Sequence, residues 1–337
     1  MVQPNNNIIG NTAAVTTLHK MVTDEQVAHS ILLVGPEKIG RTAIALQFAA
    51  TLNCMSLEIT TKPCGVCRAC RLIQNNSHPD LIHLIPGDVL CRGGGGHEAH
   101  PNSRDIRICQ IRGLIETVSR YPFEAPWRVI IIEPAEQLGR EAANALLKTL
   151  EEPPNHTIFI LISKTLDSLP ETIVSRCRQL SCTLVNPKII EQELLMRNIP
   201  VDIVSKAIKA ANKKPGLAIQ FSENPKLIEE RAQQLGHCQV IAESSQSDRA
   251  QYVLDLVDRW RKNRTLVYEE LEIWNSFWED ILLEAAKAKP SSQFTIHEAL
   301  AGLKAVTTAK NNLEALVIPR LCLELMLLQF PLLSREN

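Results

Sequence analysis

The segment from Ser30 to Leu52 constrains the fold more than any other part of the chain, because an apolar run leads through a glycine-containing loop into an alanine-rich helical pattern. The loop reads GPEKIGRT and follows the phosphate-binding template G-x-x-x-x-G-K-[ST], except that Arg41 stands where lysine is expected. In such loops, backbone N–H groups hold phosphates and the hydroxyl, here Thr42, holds Mg²⁺. A guanidinium differs in size and shape from an ammonium, so a working nucleotide site and a simple strand-to-helix turn both stay open.

Four continuous apolar runs predict strands that are buried on both faces, as in a parallel sheet. They are ILLV (31–34), LIHLI (81–85), VIII (129–132) and IFILI (158–162). Helical patterns separate them; one of these, REAANALLKTLEEPP, ends at two prolines. After Cys182 only helical patterns follow, and short ones between 187 and 235 break at Pro200 and at KKPG. The fold class is therefore α/β followed by all-α, with ligand sites expected at the carboxyl ends of the strands.

The polar stretch AESSQSD (242–248) is typical of a linker, and longer helices with apolar stripes such as Leu254, Val257 and Trp260 follow it. Four consecutive glycines, Gly93–Gly96, indicate a mobile insertion. We expect three domains: an α/β domain at 1–183, a small helical domain at 184–242 and a helical domain at 243–337.

Composition excludes some classes of protein. The formal net charge is -1 and aromatic residues make up 4% of the chain, which does not favour a basic, base-stacking nucleic-acid groove. The polar start MVQPNNNIIG lacks the pattern of a signal peptide, and the apolar segment near the C-terminus is interrupted by Arg320, Glu324 and prolines. We therefore expect an intracellular protein that does not cross a membrane.

Four of the ten cysteines fall at the spacing of metal ligands. Cys54, Cys64, Cys67 and Cys70 form the pattern C-x9-C-x2-C-x2-C. Four thiolates suit tetrahedral Zn²⁺, and a closed four-cysteine shell is typical of a structural site. The alternative is a redox C-x-x-C with two chance cysteines, which the close clustering makes the weaker interpretation.

Several stretches together resemble the delta-prime subunits of bacterial DNA polymerase III clamp loaders, within the AAA+ ATPases. They are IIGNTAAVTTLHKMV, LLVGPEKIGRT, the four-cysteine insert, HPDLIHL, AANALLKTLEEPPNHTIFILIS, LPETIVSRC and the closing NNLEALVIPRLCLELMLL. The resemblance implies a five-stranded parallel sheet with a zinc insert at about 54–70, a small helical lid domain and a C-terminal helical collar.

The resemblance also assigns roles to residues. Arg176, in the SRC motif, matches an arginine finger that acts in trans on ATP held by a neighbouring subunit. The four cysteines match the zinc ligands. Two losses accompany Arg41: Pro134 stands where a catalytic acid is expected, and Leu217 where a second sensor arginine is expected. A degenerate nucleotide-binding set matches the following positions: Gly35, Gly40, Arg41, Thr42, Glu133 and Ser163.

These matches imply a non-hydrolysing clamp-loader subunit of the DNA polymerase III holoenzyme, a DNA-directed DNA polymerase (nucleotidyltransferase), in bacterial DNA replication. Its partners would be the gamma/tau and delta subunits in a cytoplasmic hetero-pentamer, the sliding clamp and, through the complex, primed DNA. ATP and Mg²⁺ would be used at the neighbouring subunit. Two other functions stay open: an active gamma/tau-like AAA+ ATPase, and a zinc-stabilised nucleic-acid-binding module.

Overall fold

The computed structural model describes residues 8–87, 103–287, 293–315 and 317–331. The Gly93–Gly96 insertion expected from the sequence lies outside the described residues. Backbone contacts divide the chain into two compact units, Met1–Asn224 and Pro225–Asn337. The three-domain division with boundaries after residues 183 and 242 stays a prediction.

The first unit is built on a five-stranded sheet in which all described strand pairs are parallel. The spatial order is β2-β3-β4-β1-β5, which places β1 between β4 and β5. The strands are β1 (Ser30–Val34), β2 (Leu81–Leu84), β3 (Arg128–Ile132), β4 (Thr157–Ser163) and β5 (Arg178–Ser181). The four apolar runs are thus confirmed as strands, and β5 completes the sheet as an edge strand.

Successive side chains of the central strands pack into two separate cores, because side chains alternate between the two faces of a sheet. Leu33 and Ile160 enter the core that contains α1, α2 and α3, whereas Leu32 and Leu161 enter the core that contains α4, α5 and α6. The first-unit helices that cover the sheet are α1 (Thr12–Thr23), α2 (Arg41–Asn53), α3 (Arg68–Gln74), α4 (Ile108–Val118), α5 (Arg140–Glu151) and α6 (Glu171–Val174). Both faces of the sheet are therefore covered, as the unbroken apolar runs predicted.

Three further helices complete the first unit: α7 (Pro187–Met196), α8 (Val201–Ala211) and α9 (Pro215–Glu223). Asn186 caps α7 by accepting a hydrogen bond from the Lys188 N–H at 3.0 Å, with Pro187 in the first turn. Asn212 ends α8 in a left-handed conformation, with φ of 44°. The predicted breaks at Pro200 and at KKPG are confirmed as the boundaries of α8 with its two neighbours.

The second unit consists of helices in its described part: α10 (Lys226–Glu243), α11 (Gln246–Lys262), α12 (Arg264–Ala285), α13 (Ile296–Glu314) and α14 (Pro319–Leu328). Its core is rich in aromatic rings. The Trp274 and Phe330 ring centroids are 4.8 Å apart, and Gly302 lies so close to Trp278 that a Cβ there would approach the indole to 2.3 Å. Within the described residues, no helix has both the length and the apolar character needed to cross a membrane.

Helix α11 corrects one prediction about the apolar stripe. Val257 and Trp260 are buried, but Leu254 is 43% exposed. The buried face of α11 runs through Val253, Leu256 and Val257, and Leu254 falls beside it rather than on it. A single apolar residue on the solvent side of a helix is ordinary.

Candidate functional site

The loop between β1 and α2 is held close to the carboxyl end of the sheet. Gly35 donates its N–H to the Ser163 carbonyl at 3.1 Å, and a Cβ at Gly35 would lie 2.1 Å from the Cys182 carbonyl oxygen. Gly40 precedes α2 with φ of 97°, a left-handed conformation that glycine adopts without strain. Both glycines of the template are therefore required by the backbone itself, whether or not a phosphate binds.

Arg41 points into the protein. Its side chain is buried, with 8% of the residue exposed, and Nη1 donates a hydrogen bond to the main-chain carbonyl of Ser163, the last residue of β4. Its charge also reaches Cys182: burial raises the pKa of that thiol, and Arg41 partly offsets the rise. The cation at the lysine position thus joins the start of α2 to the end of β4.

Thr42 and Glu133, the two residues expected near a magnesium ion, are close together. Thr42 Oγ1 lies 2.9 Å from both carboxylate oxygens of Glu133, and His83 Nε2 lies 3.4 Å from Glu133 Oε2. Burial alone would raise the pKa of Glu133, but the neighbouring His83 imidazole, the Thr42 hydroxyl and the charge of Arg41 lower it overall. The carboxylate therefore sits ionised among groups of its own chain.

Ser163 and the residues that follow Glu133 offer little catalytic chemistry. Pro134 follows Glu133 and carries no base. The Ser163 hydroxyl donates to the Thr165 carbonyl at 3.0 Å. The Ser168 hydroxyl lies 3.0 Å from the Ser163 hydroxyl. Both carboxylate oxygens of Glu136 are buried and have no hydrogen-bond partner among the described residues.

Main-chain contacts join the loop to α9. Gly216 donates its N–H to the Lys38 carbonyl at 2.7 Å, and a Cβ at Gly216 would lie 2.7 Å from the same oxygen. Leu217, at the position where the second sensor arginine was expected, is the next residue of α9 and is half-buried. On the other side of the loop, Asn11 Nδ2 donates to the Ile39 carbonyl at 3.3 Å.

Arg176 lies in the turn between α6 and β5, and its hydrogen-bond partners differ from those of the loop residues. Its Nε donates to Glu151 Oε1 at 2.6 Å, Nη2 donates to the same oxygen, and Nη1 donates to the Thr172 carbonyl at 2.8 Å. The side chain of Arg176 is 33% exposed. The structure therefore gathers Arg41, Thr42, Glu133 and Ser163 in one place and presents Arg176 separately, on the surface.

The four cysteines form a compact cluster between α2 and α3. One ligand atom from each of Cys54, Cys64, Cys67 and Cys70 lies within 4.8 Å of all the others. Tetrahedral Zn²⁺ with Zn–S bonds of about 2.3 Å places its sulfur ligands about 3.8 Å apart, which lies within this 4.8 Å limit. The donor set and its spacing therefore fit a zinc ion.

Backbone N–H groups surround the sulfur atoms, as is typical where thiolates are stabilised. The Cys64 N–H donates to Cys54 Sγ at 3.3 Å, and the Cys67 N–H donates to Cys64 Sγ at 3.3 Å. For Cys64, burial raises the pKa, but the N–H groups of Cys67 and Val66 outweigh it and lower the pKa to about 6. Burial raises the pKa of Cys54 and Cys70.

Comparison with known proteins places this arrangement in a family. The sequence profile of the family described as DNA polymerase III, delta subunit, matches residues 10–185, just over half of the chain. The chain belongs to this DNA polymerase III delta-subunit family. The matched region contains the sheet, the loop, the cysteine cluster and Arg176.

Relatives of this chain carry two kinds of name, delta' and tau. DNA polymerase III subunit delta' of Bacillus subtilis is 32% identical over 215 residues, 64% of this chain and 60% of that protein. The delta' subunit of Pseudomonas aeruginosa is 38% identical over 159 residues, 47% of this chain and 44% of that protein. DNA polymerase III subunit tau of Escherichia coli is 32% identical over 188 residues, 56% of this chain and 27% of that protein. The matches thus span between 27% and 60% of the length of these relatives.

Sequence reasoning missed three partners that the structure reveals: His83 beside Glu133, Glu151 beside Arg176, and Asn11 beside the loop. His83 had a sequence signal, since an imidazole inside the apolar run LIHLI invites a search for a partner at the sheet edge. Glu151 and Asn11 had none, because acidic residues at helix ends and asparagines before helices are common.

Proposed function

We propose that this chain is a non-hydrolysing subunit of a bacterial clamp loader, which supplies Arg176 to ATP bound by a neighbouring gamma/tau-type subunit. The proposed partners are gamma/tau and delta subunits, with which the chain would form a hetero-pentamer, together with the sliding clamp and primed DNA. The ATP and Mg²⁺ would belong to the neighbour. The chain itself would carry a structural zinc ion.

The orientation of Arg41 carries the proposal. A lysine at this place in a phosphate loop reaches the β- and γ-phosphates. Arg41 is instead buried against the Ser163 carbonyl, and Pro134, which carries no base, stands where the family resemblance expects the residue that activates water. Arg176 is the reverse case, because its guanidinium is partly exposed on the surface. Together these features favour a donor of positive charge over an independent ATPase.

ATP turnover of a reconstituted complex with gamma/tau and delta subunits tests this role. Arginine fingers supplied in trans contribute about 10³–10⁵-fold in rate, so Arg176→Ala is expected to lower turnover by at least about 10²-fold at the one ATP site that it serves, and to lower total turnover by that site's share. Arg178→Ala removes the same charge two residues away, from exposed edge strand β5, and is the matched control. Unchanged turnover with Arg176→Ala would show that Arg176 does not act as an arginine finger.

The isolated chain separates this function from the gamma/tau-like alternative. We expect no steady ATP turnover from the wild-type chain. Turnover that depends on Mg²⁺ and disappears in Glu136→Gln would instead identify an active ATPase that uses the buried, unpaired carboxylate as its base.

The zinc ion is proposed to stabilise the fold, since four protein thiolates leave no open position for a substrate. Cys67→Ser is expected to abolish retention of zinc and to lower stability by about 2 kcal/mol, or about 4–8 °C in melting temperature. Metal analysis and thermal melting measure both effects. Cys109→Ser in α4, outside the cluster, is the control. A variant that loses the metal yet melts like the wild type would contradict a structural role.

A further inference from the structure

The guanidinium of Arg176 is fixed in direction although it lies at the surface. Glu151, the last residue of α5, accepts from both Nε and Nη2 through one oxygen, and the Thr172 carbonyl accepts from Nη1 at 2.8 Å. Nη1 also lies 3.4 Å from Ser175 Oγ. Arginine has five N–H donors, so at least one on each terminal nitrogen is left for weaker or external acceptors.

The ion pair contributes little to the stability of the fold. Both side chains are substantially exposed, Arg176 at 33% and Glu151 at 47%, and exposed ion pairs are screened by water. The contact between α5 and α6 is made instead by buried apolar residues, including Leu150 and Ile173. The effect of Glu151 is therefore on the orientation of Arg176 rather than on folding.

We propose that Glu151 is a positioning residue for Arg176, an inference that rests on the proposed function. Its carboxylate oxygen accepts from one side of the guanidinium and leaves the remaining terminal N–H groups to a phosphate of the nucleotide on the neighbouring subunit. A long, flexible arginine that is already oriented loses less conformational freedom when it engages that phosphate.

The opposite role for the same contact is a restraint. A carboxylate also competes with a phosphate for the guanidinium, and a purely competing Glu151 would slow the reaction. The two roles predict opposite results. Removing an orienting acceptor lowers turnover, whereas removing a competing charge raises it.

Kinetics of the reconstituted complex distinguish these roles, with this chain carrying Glu151→Ala, Glu151→Gln or the control Glu152→Ala, which removes the adjacent exposed charge. Misplacing a reacting group by about 1 Å can cost about 10²-fold, so Glu151→Ala is expected to lower kcat about 10- to 100-fold at the ATP site that Arg176 serves, with little change in KM for ATP. Glu151→Gln keeps an oxygen acceptor and is expected to recover most of the rate. Glu152→Ala is expected to match the wild type.

A double variant adds a readout that a merely structural role would not move. If Glu151 acts through Arg176, then Glu151→Ala has no further effect on turnover in an Arg176→Ala background. Additive losses in the double variant would overturn the inference, as would unchanged or faster turnover with Glu151→Ala, or an equal loss with Glu151→Gln. If Arg176→Ala itself leaves turnover unchanged, the proposed function fails; if only the Glu151 variants do, this inference alone fails.

Discussion

Arg41 and Arg176 are the same side chain placed in two opposite environments. Arg41 is 8% exposed and donates to the Ser163 carbonyl inside the first unit. Arg176 is held by the Glu151 carboxylate at the surface, with a third of its side chain exposed. The first stands at the position where the loop template expects a phosphate ligand, and the second in the turn that carries the SRC motif.

The difference shows that charge alone does not identify a phosphate ligand. A buried cation must be satisfied by acceptors in the fold, because an unpaired buried charge is costly. Arg41 is satisfied by a main-chain carbonyl and thereby becomes part of the structure. Arg176 is held in direction by Glu151 yet keeps terminal N–H groups at the surface, which is what the proposed action on a neighbouring subunit requires.

Lysine substitutions provide the largest test of this contrast. In the reconstituted complex, Arg176→Lys is expected to lower ATP turnover at the site that it serves by about 10²-fold or more, because an ammonium cannot reproduce the planar, forked donor geometry. Arg41→Lys, which restores the loop template, is expected to leave turnover unchanged since Pro134 still offers no base. A rise in turnover of the isolated chain with Arg41→Lys would break the contrast.

Stability is expected to reverse the ranking of the two arginines. Arg41→Met removes a buried charged donor, so that the Ser163 carbonyl keeps only the Gly35 N–H, with an expected cost of about 1.5–3 kcal/mol. Arg176→Met removes an exposed ion pair, with an expected cost of about 0–1 kcal/mol. Urea unfolding of both variants measures the difference. Equal losses would mean that Arg41 is no more structural than Arg176.

The pH dependence of Glu133 gives the smallest expected effect. Its folded-state pKa lies below the ordinary value of 4.5, because the neighbouring His83 imidazole, the Thr42 hydroxyl and the charge of Arg41 outweigh burial. The contribution of its charge is therefore complete above about pH 4.5 and is lost as the pH falls through the lower folded value. Glu133→Gln is expected to cost about 1 kcal/mol at pH 7 and progressively less in acid. A difference from the wild type that does not change with pH would show that the charge of this carboxylate has no part in the loop.

The sequence predicted those features that depend on regular backbone geometry. The apolar runs identified β1 to β4, KKPG identified the break before α9, and the cysteine spacing identified a cluster that is compact in space. Each of these signals is local, because strand burial, helix termination and ligand spacing act over a few residues.

The direction of Arg41 could not be predicted, because it depends on the Ser163 carbonyl 122 residues away. The same holds for Arg176, since Glu151 belongs to another helix and one exposed acid is indistinguishable in sequence from its neighbour Glu152. Side-chain partners across a fold are set by tertiary packing, which periodicity does not encode. The template at the loop therefore indicated the correct backbone and left the role of its cation open.

The hydrogen bond between the Gly216 N–H and the Lys38 carbonyl connects the loop to α9 through main-chain atoms alone. The bond uses no side-chain atom of Lys38, whereas any side chain at Gly216 would collide with the oxygen that accepts the bond. Any displacement of the loop at Lys38 must therefore either break this hydrogen bond or move the first turn of α9 with it.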